Sequence, residues 1–251
     1  MAVIIAVMNH KGGSGKTTTV SALASFYSQK GNKVLAMDLD PRASLTHSLV
    51  DNSNTLFKVG VCGAVLEGRQ LPVISIRENL SIAPADMSIR VLDQLNKRTI
   101  LEGFTKVIRS ISDSFDVIIV DLPSYPSELS YCAVSVADSI LVTTKADRIS
   151  QIALSGTLST IENSDKVDIL LVQHDLREKH TVLTENSLRL DYGDKVMHSF
   201  IRRNVSLCEC AAAYKTIFEY KADSAGATDY SNAATELFER IVSRFTQTAE
   251  N

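Results

Sequence analysis

The sequence predicts an α/β fold, in which a single, doubly wound, mostly parallel sheet is flanked by helices on both faces. Three observations predict it. Short β-branched runs alternate with longer amphipathic stretches along the 251 residues, which is the pattern of strands joined by helical crossovers. Residues 117–120, Val-Ile-Ile-Val, are apolar at every position, as expected of a strand covered on both faces. A glycine-rich segment directly follows the first apolar run, which is typical of a tight turn from strand to helix.

The composition fits one domain spanning residues 1–251, because 45% hydrophobic content over this length suffices for a full core. The formal net charge is −3, so binding to an anionic polymer requires a local basic patch. The four cysteines form no C-x-x-C pair, which disfavours a disulfide framework or a metal site. A reduced, cytoplasmic compartment is therefore expected, and no run is long and apolar enough to cross a bilayer.

Seven short apolar runs predict the strands. In chain order they span residues 3–8, 33–38, 80–83, 116–121, 139–144, 167–172 and 195–201. Helical patterns lie between most of these runs, so right-handed crossovers are expected. Residues 51–77 are the least periodic, and they are predicted to form loop and short helix.

Two helices carry clear sequence signals. The first is predicted to begin near Lys16 and to end by Gly31, because glycine is favoured just after a helix C-terminus. The last carries apolar residues three and four positions apart, which predicts one apolar face packed on the core. These residues are Ala234, Leu237, Phe238, Ile241, Val242 and Phe245.

The segment between the first strand and the first helix predicts a phosphate-binding loop. Its glycines allow the backbone to approach a phosphate, and the helix N-terminus supplies positive potential. Lys16 is expected to reach the terminal phosphates of a nucleotide, Thr17 to ligate Mg²⁺, and Thr18 to bind the α-phosphate. The predicted nucleotide-binding residues here are Gly12, Gly13, Ser14, Gly15, Lys16, Thr17 and Thr18. The alternative, a glycine turn that only caps a helix, fits the strand-turn-helix context less well.

The loop departs from the usual G-x-x-x-x-G-K-T pattern. His10 stands where that pattern has glycine, and an additional lysine, Lys11, follows it. A lysine at the start of the loop that points away from its own phosphate can reach a phosphate bound by a facing subunit. Such a cation would stabilise transition-state charge in trans, in the manner of an arginine finger. The alternative is a solvated loop lysine.

Carboxylates follow two of the predicted strands. Asp38 and Asp40 end the second strand, where the carboxyl edge of a parallel sheet faces the ligand crevice. Asp40 is predicted to orient the attacking water, with Asp38 beside it as a metal ligand. Asp121 ends the apolar strand 116–121, which is the Walker B form, so it should hold Mg²⁺ through water. A turn or helix cap remains the alternative role for Asp38.

With Lys11, Lys16, Asp40-Pro41 and residues 121–123 (Asp-Leu-Pro) in place, the sequence resembles the ParA/MinD family of deviant Walker A ATPases. The resemblance spans nearly the whole chain and implies a P-loop NTPase fold. Three later segments are similar to the ParA and Soj branch, which segregates plasmids and chromosome origins. They are residues 201–207, 215–220 and 226–230.

The resemblance implies a cycle. ATP drives face-to-face homodimerisation, the dimer coats nucleoid DNA without sequence preference, and a centromere-binding ParB-type partner stimulates a slow hydrolysis. The family's adenine-contacting loop corresponds to Arg203 and Asn204. Two departures stand out: Ser124-Tyr125 follows Pro123 where a second proline is common, and Arg202 replaces a proline often found before Arg-Asn.

Nonspecific duplex binding depends on lysine and arginine contacts to phosphates. Arg189, Arg202 and Lys215 are the predicted DNA contacts, within a carboxyl-terminal third that also carries many acidic residues. Ordinary solvated helix faces are the alternative for such charges. The expected location is cytoplasmic and associated with the nucleoid.

Three other classes fit the sequence less well. A MinD-like, membrane-associated positioning ATPase would end in a basic amphipathic helix, whereas residues 239–251 continue the apolar stripe and then become polar and acid-containing, so no stable membrane anchor is expected. A metal-cluster relative would need cysteines near the dimer axis, but Cys132 and the Cys208-Glu209-Cys210 segment suit packing better. A scaffold with a dead nucleotide site is disfavoured because Lys16, Thr17, Asp40 and Asp121 are all retained.

Overall fold

The computed structural model describes residues 2–51, 60–85 and 87–250, and one eight-stranded sheet lies at their centre. The strands are β1 (Val3–Met8), β2 (Val34–Asp38), β3 (Ile74–Arg77), β4 (Leu80–Ala83), β5 (Val117–Asp121), β6 (Ser139–Thr144), β7 (Val167–His174) and β8 (Val196–Arg202). Their order across the sheet is β3-β4-β2-β5-β1-β6-β7-β8, and only the β3–β4 pair is antiparallel. The predicted mostly parallel sheet is confirmed.

Helices connect the strands. The α-helices are α1 (Lys16–Gln29), α2 (Ser44–Leu49), α3 (Val61–Glu67), α4 (Lys97–Ile111), α5 (Glu128–Val136), α6 (Arg148–Leu158), α7 (Lys179–Tyr192), α8 (Ser206–Ala212), α9 (Ile217–Lys221) and α10 (Ala225–Glu250). Short 3-10 helices span Met87–Gln94, Ser164–Lys166 and Gly193–Lys195. As predicted, the first helix begins at Lys16 and ends just before Gly31, whose φ of 89° lies in the left-handed region.

Two hydrophobic layers cover the sheet, one on each face. The alternation of side chains along a strand decides which layer each residue joins. In β1, for example, Ile4 and Ala6 join the layer that α4, α5 and α6 cover, whereas Ile5 and Val7 join the layer that α1 and α10 cover. A central strand thus buries both faces, which explains its continuous apolar sequence.

The strand predictions hold except in one stretch. Each of the seven predicted strands has a counterpart whose ends differ by at most two residues. The interpretation of residues 51–77 as loop and short helix was incomplete: the predicted short helix is present as α3, but Ile74–Arg77 forms the edge strand β3, which pairs with β4. An antiparallel edge strand of four residues is too short for its alternation to stand out in the sequence. Residues 52–59 lie outside the described residues.

The apolar face of α10 is only partly buried. Ala234, Leu237 and Ile241 pack in the core as predicted. Phe238, Val242 and Phe245 do not, because their side chains are 57%, 44% and 49% exposed. Their prediction as core residues was wrong: the helix presents a narrow stripe to the sheet, and these three side chains lie on an adjacent flank. No helix of the described residues is long and apolar enough to span a membrane.

Candidate nucleotide site at the carboxyl ends of the central strands

Three neighbouring strands bring the predicted site residues to one edge of the sheet. The order β2-β5-β1 places the loop after β1 beside the carboxylates that follow β2 and β5. Asp38 pairs with Asp121 in the sheet register, and Val7 pairs with Asp121 on the other side. The carboxyl ends of parallel strands form a ligand crevice in such sheets, so the strand order assembles the site.

The loop between β1 and α1 has the backbone of a phosphate cradle. Gly13 and Gly15 have φ values of 68° and 82°, in the left-handed region that favours glycine. A Cβ added at Gly15 would lie 3.2 Å from Cγ2 of Val172, so a side chain would crowd the turn. Asn9 holds the loop from the other side: its Nδ2 donates to the Thr143 carbonyl at 2.7 Å, and its Oδ1 accepts from the Lys11 amide at 2.7 Å.

Lys16 lies buried at the start of α1, where its ammonium faces the crevice. Its Nζ donates to Oγ of Ser124 at 2.8 Å and to the Lys11 carbonyl at 3.5 Å. Burial lowers the pKa of Lys16, while the negative charges of Asp121 and Asp40 oppose that shift. A partly desolvated cation at a helix N-terminus suits an anionic ligand.

Thr17 and Asp121 form a pair that fits a divalent cation. Oγ1 of Thr17 donates to Oδ2 of Asp121 at 2.7 Å. Oδ1 of Asp121 is buried and has no hydrogen-bond partner among the described residues. Burial first, and then repulsion from Asp38, raise the pKa of Asp121. A hydroxyl and a buried carboxylate oxygen are the ligands that Mg²⁺ takes in nucleotide sites, with the phosphates completing its shell.

Asp38 has a structural partner on each carboxylate oxygen. Oδ2 accepts from the amide and the hydroxyl of Thr46 at 2.9 and 2.8 Å, and Oδ1 accepts from the Asp40 amide at 3.1 Å. These contacts match the alternative role of a cap, because they anchor the start of α2 and the turn before it. Burial raises the pKa of Asp38. Its role as a metal ligand stays a prediction.

Asp40 is held by Arg42, to which the sequence analysis gave no role. Nη2 of Arg42 lies 2.7 Å from Oδ2 of Asp40, and Nε lies 3.1 Å from Oδ1. The same Nη2 donates to Ser124 Oγ at 3.2 Å. Burial raises the pKa of Asp40, but the hydrogen bonds from Arg42 outweigh burial and hold that pKa below its ordinary value. Asp40 is therefore ionised and fixed beside Lys16.

Lys11 points away from the crevice. Its Nζ donates to Oγ of Ser150 at 2.7 Å and to Oδ1 of Asp147 at 3.4 Å. Asp147 caps α6, since its Oδ1 also accepts from the Ser150 amide at 2.8 Å. The ammonium group of Lys11 thus lies at the start of α6. That Lys11 reaches a phosphate bound by a facing subunit stays a prediction.

Two neighbouring cavities, whose linings share Gly15, Thr18 and Gln173, lie at this edge of the sheet. One of about 260 Å³ is lined by the loop from Gly13 to Thr18 together with Asp40, Arg42 and Ser124. The other, of about 280 Å³, is lined by residues of the β7 and β8 ends. The predicted Arg203 and Asn204 are among them: the Arg203 amide donates to the His174 carbonyl at 3.1 Å, and Asn204 Oδ1 accepts from the Ser206 amide at 2.9 Å.

Comparison with known proteins gives this geometry a family. A family model described as an AAA domain matches residues 2–188. The chromosome-partitioning ATPase Soj of Thermus thermophilus is 30% identical over 247 residues, which cover 94% of this chain and 96% of that relative. The chain belongs to the ParA/MinD family of P-loop ATPases.

Solved structures share the fold of this ParA/MinD-family chain. Cobyrinic acid a,c-diamide synthase from Mycobacterium smegmatis, with bound ADP and magnesium, has a TM-score of 0.79 at 23% identity, covering 95% of this chain and 94% of that one. MinD from Pyrococcus horikoshii, complexed with Mg-ADP, has a TM-score of 0.74 at 22% identity, covering 94% of this chain and 96% of that one. The P-loop NTPase fold predicted from the sequence is confirmed.

The predicted DNA contacts of this ParA/MinD-family chain lie on three different elements. Arg189 on α7 pairs with Glu185 at 2.8 Å and donates to the Met197 carbonyl, so it joins α7 to β8. Arg202 ends β8 and binds Asp229 of α10 at 2.7 Å. Lys215 lies exposed between α8 and α9, and Arg202 is exposed as well, whereas Arg189 is half-buried. A direct role for each in DNA binding stays a prediction.

The cysteines agree with a packing role for two of the predicted positions. Cys132 is buried in α5 and Cys210 is buried in α8, whereas Cys208 is exposed. No group of three or more His, Cys, Asp or Glu suited to a metal ion occurs in the described ranges. A Mg²⁺ site at Thr17 and Asp121 would not require such a group, because phosphate and water oxygens complete the shell of Mg²⁺ in nucleotide sites.

Sequence reasoning missed four residues of the site. Asn9 positions the loop, and Arg42 positions Asp40. Ser124 contacts both Lys16 and Arg42. Gln173 lines both cavities and has a φ of 54°, which is uncommon for a residue with a side chain. Ser124 carried a signal in the sequence, because it follows Pro123 where the family commonly has a second proline.

Proposed function

We propose that this chain is a ParA-type ATPase that binds Mg²⁺ and ATP, dimerises face to face, and holds DNA only while ATP is bound. It would segregate or position a plasmid or a chromosome together with a ParB-type centromere-binding partner. One observation carries the nucleotide part: the carboxylate of Asp121 accepts from Thr17 on Oδ2 and lies near the charge of Lys16, while its buried Oδ1 has no hydrogen-bond partner in the described part of the chain. That arrangement has a hydroxyl, a carboxylate and a cation ready for a metal-bound phosphate.

Each residue then has a physical task. Backbone amides of the loop and the α1 N-terminus bind the phosphates, and Lys16 neutralises the terminal ones. Thr17 and Asp121 would hold Mg²⁺, directly and through water, and the metal supplies further neutralisation of phosphate charge. Asp40, kept ionised, accepts a hydrogen bond from the attacking water. Arg203 and Asn204 would bind the adenine.

The dimer part of the proposal depends on Lys11. Its ammonium is directed to Ser150 and Asp147 rather than to its own crevice, and in this proposal it lies on the surface that faces a second copy. A cation supplied from a partner raises hydrolysis only once the dimer has formed. Slow turnover and stimulation by a partner follow, because the water-orienting geometry is completed by assembly.

The relatives support the partition role. The similar Soj protein of Thermus thermophilus is named a chromosome-partitioning ATPase. With a net charge of −3, nonspecific duplex binding would rest on a local patch to which Arg189, Arg202 and Lys215 contribute. Two ATP-bound copies would double that patch and so raise the affinity. The protein would accordingly be cytoplasmic and associated with the nucleoid.

ATPase activity measured alone, with duplex DNA, with a candidate ParB-type protein, and with both together tests the proposal. We expect low basal turnover and strong stimulation only when both are present. Equal turnover in all four conditions would contradict a partner-controlled partition ATPase.

One observation favours a second candidate, a MinD-like positioning ATPase on a membrane. Phe238, Val242 and Phe245 form an exposed apolar flank on α10, which would suit a membrane interface. Co-sedimentation with vesicles of anionic phospholipid separates the two candidates. ATP-dependent sedimentation that Phe245→Ser abolishes would support the membrane candidate, and the partition function predicts none.

A further inference from the structure

Arg42 is a cation of the crevice that the proposed function leaves without a role. It follows β2 in the turn that carries Asp40, and its side chain is 58% exposed. The guanidinium lines the same cavity of about 260 Å³ as Lys16 and the phosphate loop. A long, partly exposed cation in the wall of this cavity can contact an anion that occupies the cavity.

The contacts of Arg42 occupy the carboxylate that should handle water. Oδ2 of Asp40 accepts from Nη2 at 2.7 Å and from Nε at 3.3 Å. Oδ1 accepts from Nε at 3.1 Å and also from the backbone amide of Arg42 at 2.9 Å. If the guanidinium left, the backbone amide would still fix Asp40, and Oδ2 would be released.

Ser124 brings two cations to one point. Its Oγ accepts from Nζ of Lys16 at 2.8 Å and from Nη2 of Arg42 at 3.2 Å. Two positive groups around one neutral hydroxyl repel each other, so an anion with more than one charge is a better common partner than Ser124. The terminal phosphate of ATP can replace Ser124 as this partner, because it carries several negative oxygens that can accept two parallel hydrogen bonds from a guanidinium group.

We propose that Arg42 is a terminal-phosphate sensor: when ATP binds, its guanidinium moves from Asp40 and Ser124 to the terminal phosphate, and Oδ2 of Asp40 becomes free to accept from water. The same movement provides a second cation from the same chain, beside Lys16. ADP lacks the terminal phosphate, so the Arg42–Asp40 pair persists with ADP. This inference rests on the proposed binding of ATP.

Affinities of the Arg42→Gln and Arg42→Lys variants for Mg-ADP and for a non-hydrolysable Mg-ATP analogue, measured by titration calorimetry, test the inference. Arg42→Gln should lower the affinity for the ATP analogue by roughly ten- to hundredfold, the effect of losing a charge-assisted contact. It should lower the affinity for ADP by less than about threefold. Arg42→Lys keeps the positive charge but lacks the two parallel N–H donors of the guanidinium group. Its affinity for the ATP analogue should therefore lie between those of wild type and Arg42→Gln.

Arg98→Gln is the matched control. It makes the same charge change on α4, where the side chain is 88% exposed and pairs with Glu102, and both affinities should stay at the wild-type values. An equal loss for the two nucleotides in Arg42→Gln, or no loss for either, would overturn the inference. Should Arg42→Gln fail to fold, wild-type selectivity in Arg42→Lys would overturn it equally. A wild-type protein that binds neither nucleotide would instead contradict the proposed function.

Discussion

Asp121 is the residue at which stability and function oppose each other most clearly. Its carboxylate is buried, one oxygen has no partner among the described residues, and Asp38 lies beside it in the register. A buried, unpaired carboxylate is costly unless it is protonated or meets a cation. Without a bound cation, the protein therefore bears the desolvation cost of this buried carboxylate, which a bound metal would offset.

Replacing this carboxylate should stabilise the nucleotide-free protein. Burial and the Asp38 charge raise the pKa of Asp121 to about 8, so the folded state resists ionisation and the penalty grows as the pH rises from about 4 to about 8. Asp121→Asn should raise the Tm at pH 8 by roughly 2 to 4 °C, about 1 kcal/mol for a chain of this size, and by less at pH 5. Thermal melts at both pH values measure it, and a lower Tm at pH 8 would contradict the account.

Lys11 is the residue on which the proposed ATP-dependent dimer depends. Lys11→Ala removes the cation meant for a facing phosphate and leaves the chain's own cradle intact. We expect the ATP-dependent dimer to weaken by about tenfold or more, as for a lost charge-assisted contact, while ADP affinity changes little. Sedimentation velocity with ATP reports the dimer. Dimerisation and hydrolysis at wild-type levels would refute the role in trans.

At this scale the sequence predicted residues that belong to a contiguous motif. Lys16 and Thr17 were predicted because strand, glycines and helix follow each other directly. Arg42 and Ser124 are 82 positions apart, and their contact arises only because β2 and β5 are neighbours in the sheet. The pair of Lys11 with Asp147 likewise joins segments 136 positions apart, which no local pattern reveals.

Among the elements, α10 is attached to the sheet by a buried acid in addition to its apolar stripe. Asp168 at the start of β7 binds Arg240 at 3.3 Å and Arg244 at 2.7 Å, and Arg244 also donates to Ser139 Oγ at 3.2 Å. These contacts run along one side of the helix, beside the core stripe. They fix which flank of α10 faces the sheet, and so which flank is left exposed.

Removing that acid should destabilise the fold without touching the site. Asp168→Ala removes the carboxylate that Arg240 and Arg244 share, but Arg240 keeps its pair with Glu236 and Arg244 keeps its contact with Ser139. Both side chains also reach solvent in part, so we expect a loss of about 2 to 4 kcal/mol in the free energy of unfolding, within or slightly below the range for broken buried pairs. Guanidinium unfolding of wild type and variant measures the loss. Glu102→Ala, which breaks an exposed pair on α4, is the control and should leave the midpoint unchanged. An unchanged midpoint in Asp168→Ala would show that the cluster does not attach α10.

The two errors of prediction also belong to this scale. The edge strand β3 has only four residues, and its partner β4 covers one side alone, so its signal in the sequence is weak. In α10, apolar spacing predicted the helix but not the width of its buried stripe. That width depends on how the helix lies over the sheet, which spacing does not specify.

For the whole molecule, the fold followed from the sequence because each central strand must be covered on both faces. Continuous apolar strands alternating with helices permit few topologies other than a doubly wound parallel sheet. That topology places the ends of β1, β2 and β5 together, and with them the residues of the phosphate loop and Asp121. The proposed function at this scale depends on two copies, and the residue in this chain's sequence that indicates a second copy is Lys11.

The central claim is that the nucleotide governs when the protein holds DNA. Binding to duplexes of unrelated sequence, measured by fluorescence anisotropy at one salt concentration without nucleotide, with ADP and with ATP, tests it most directly. The account predicts binding only with ATP, equal for all sequences and falling steeply as salt is raised. Equal binding in the nucleotide-free and ATP states would contradict it.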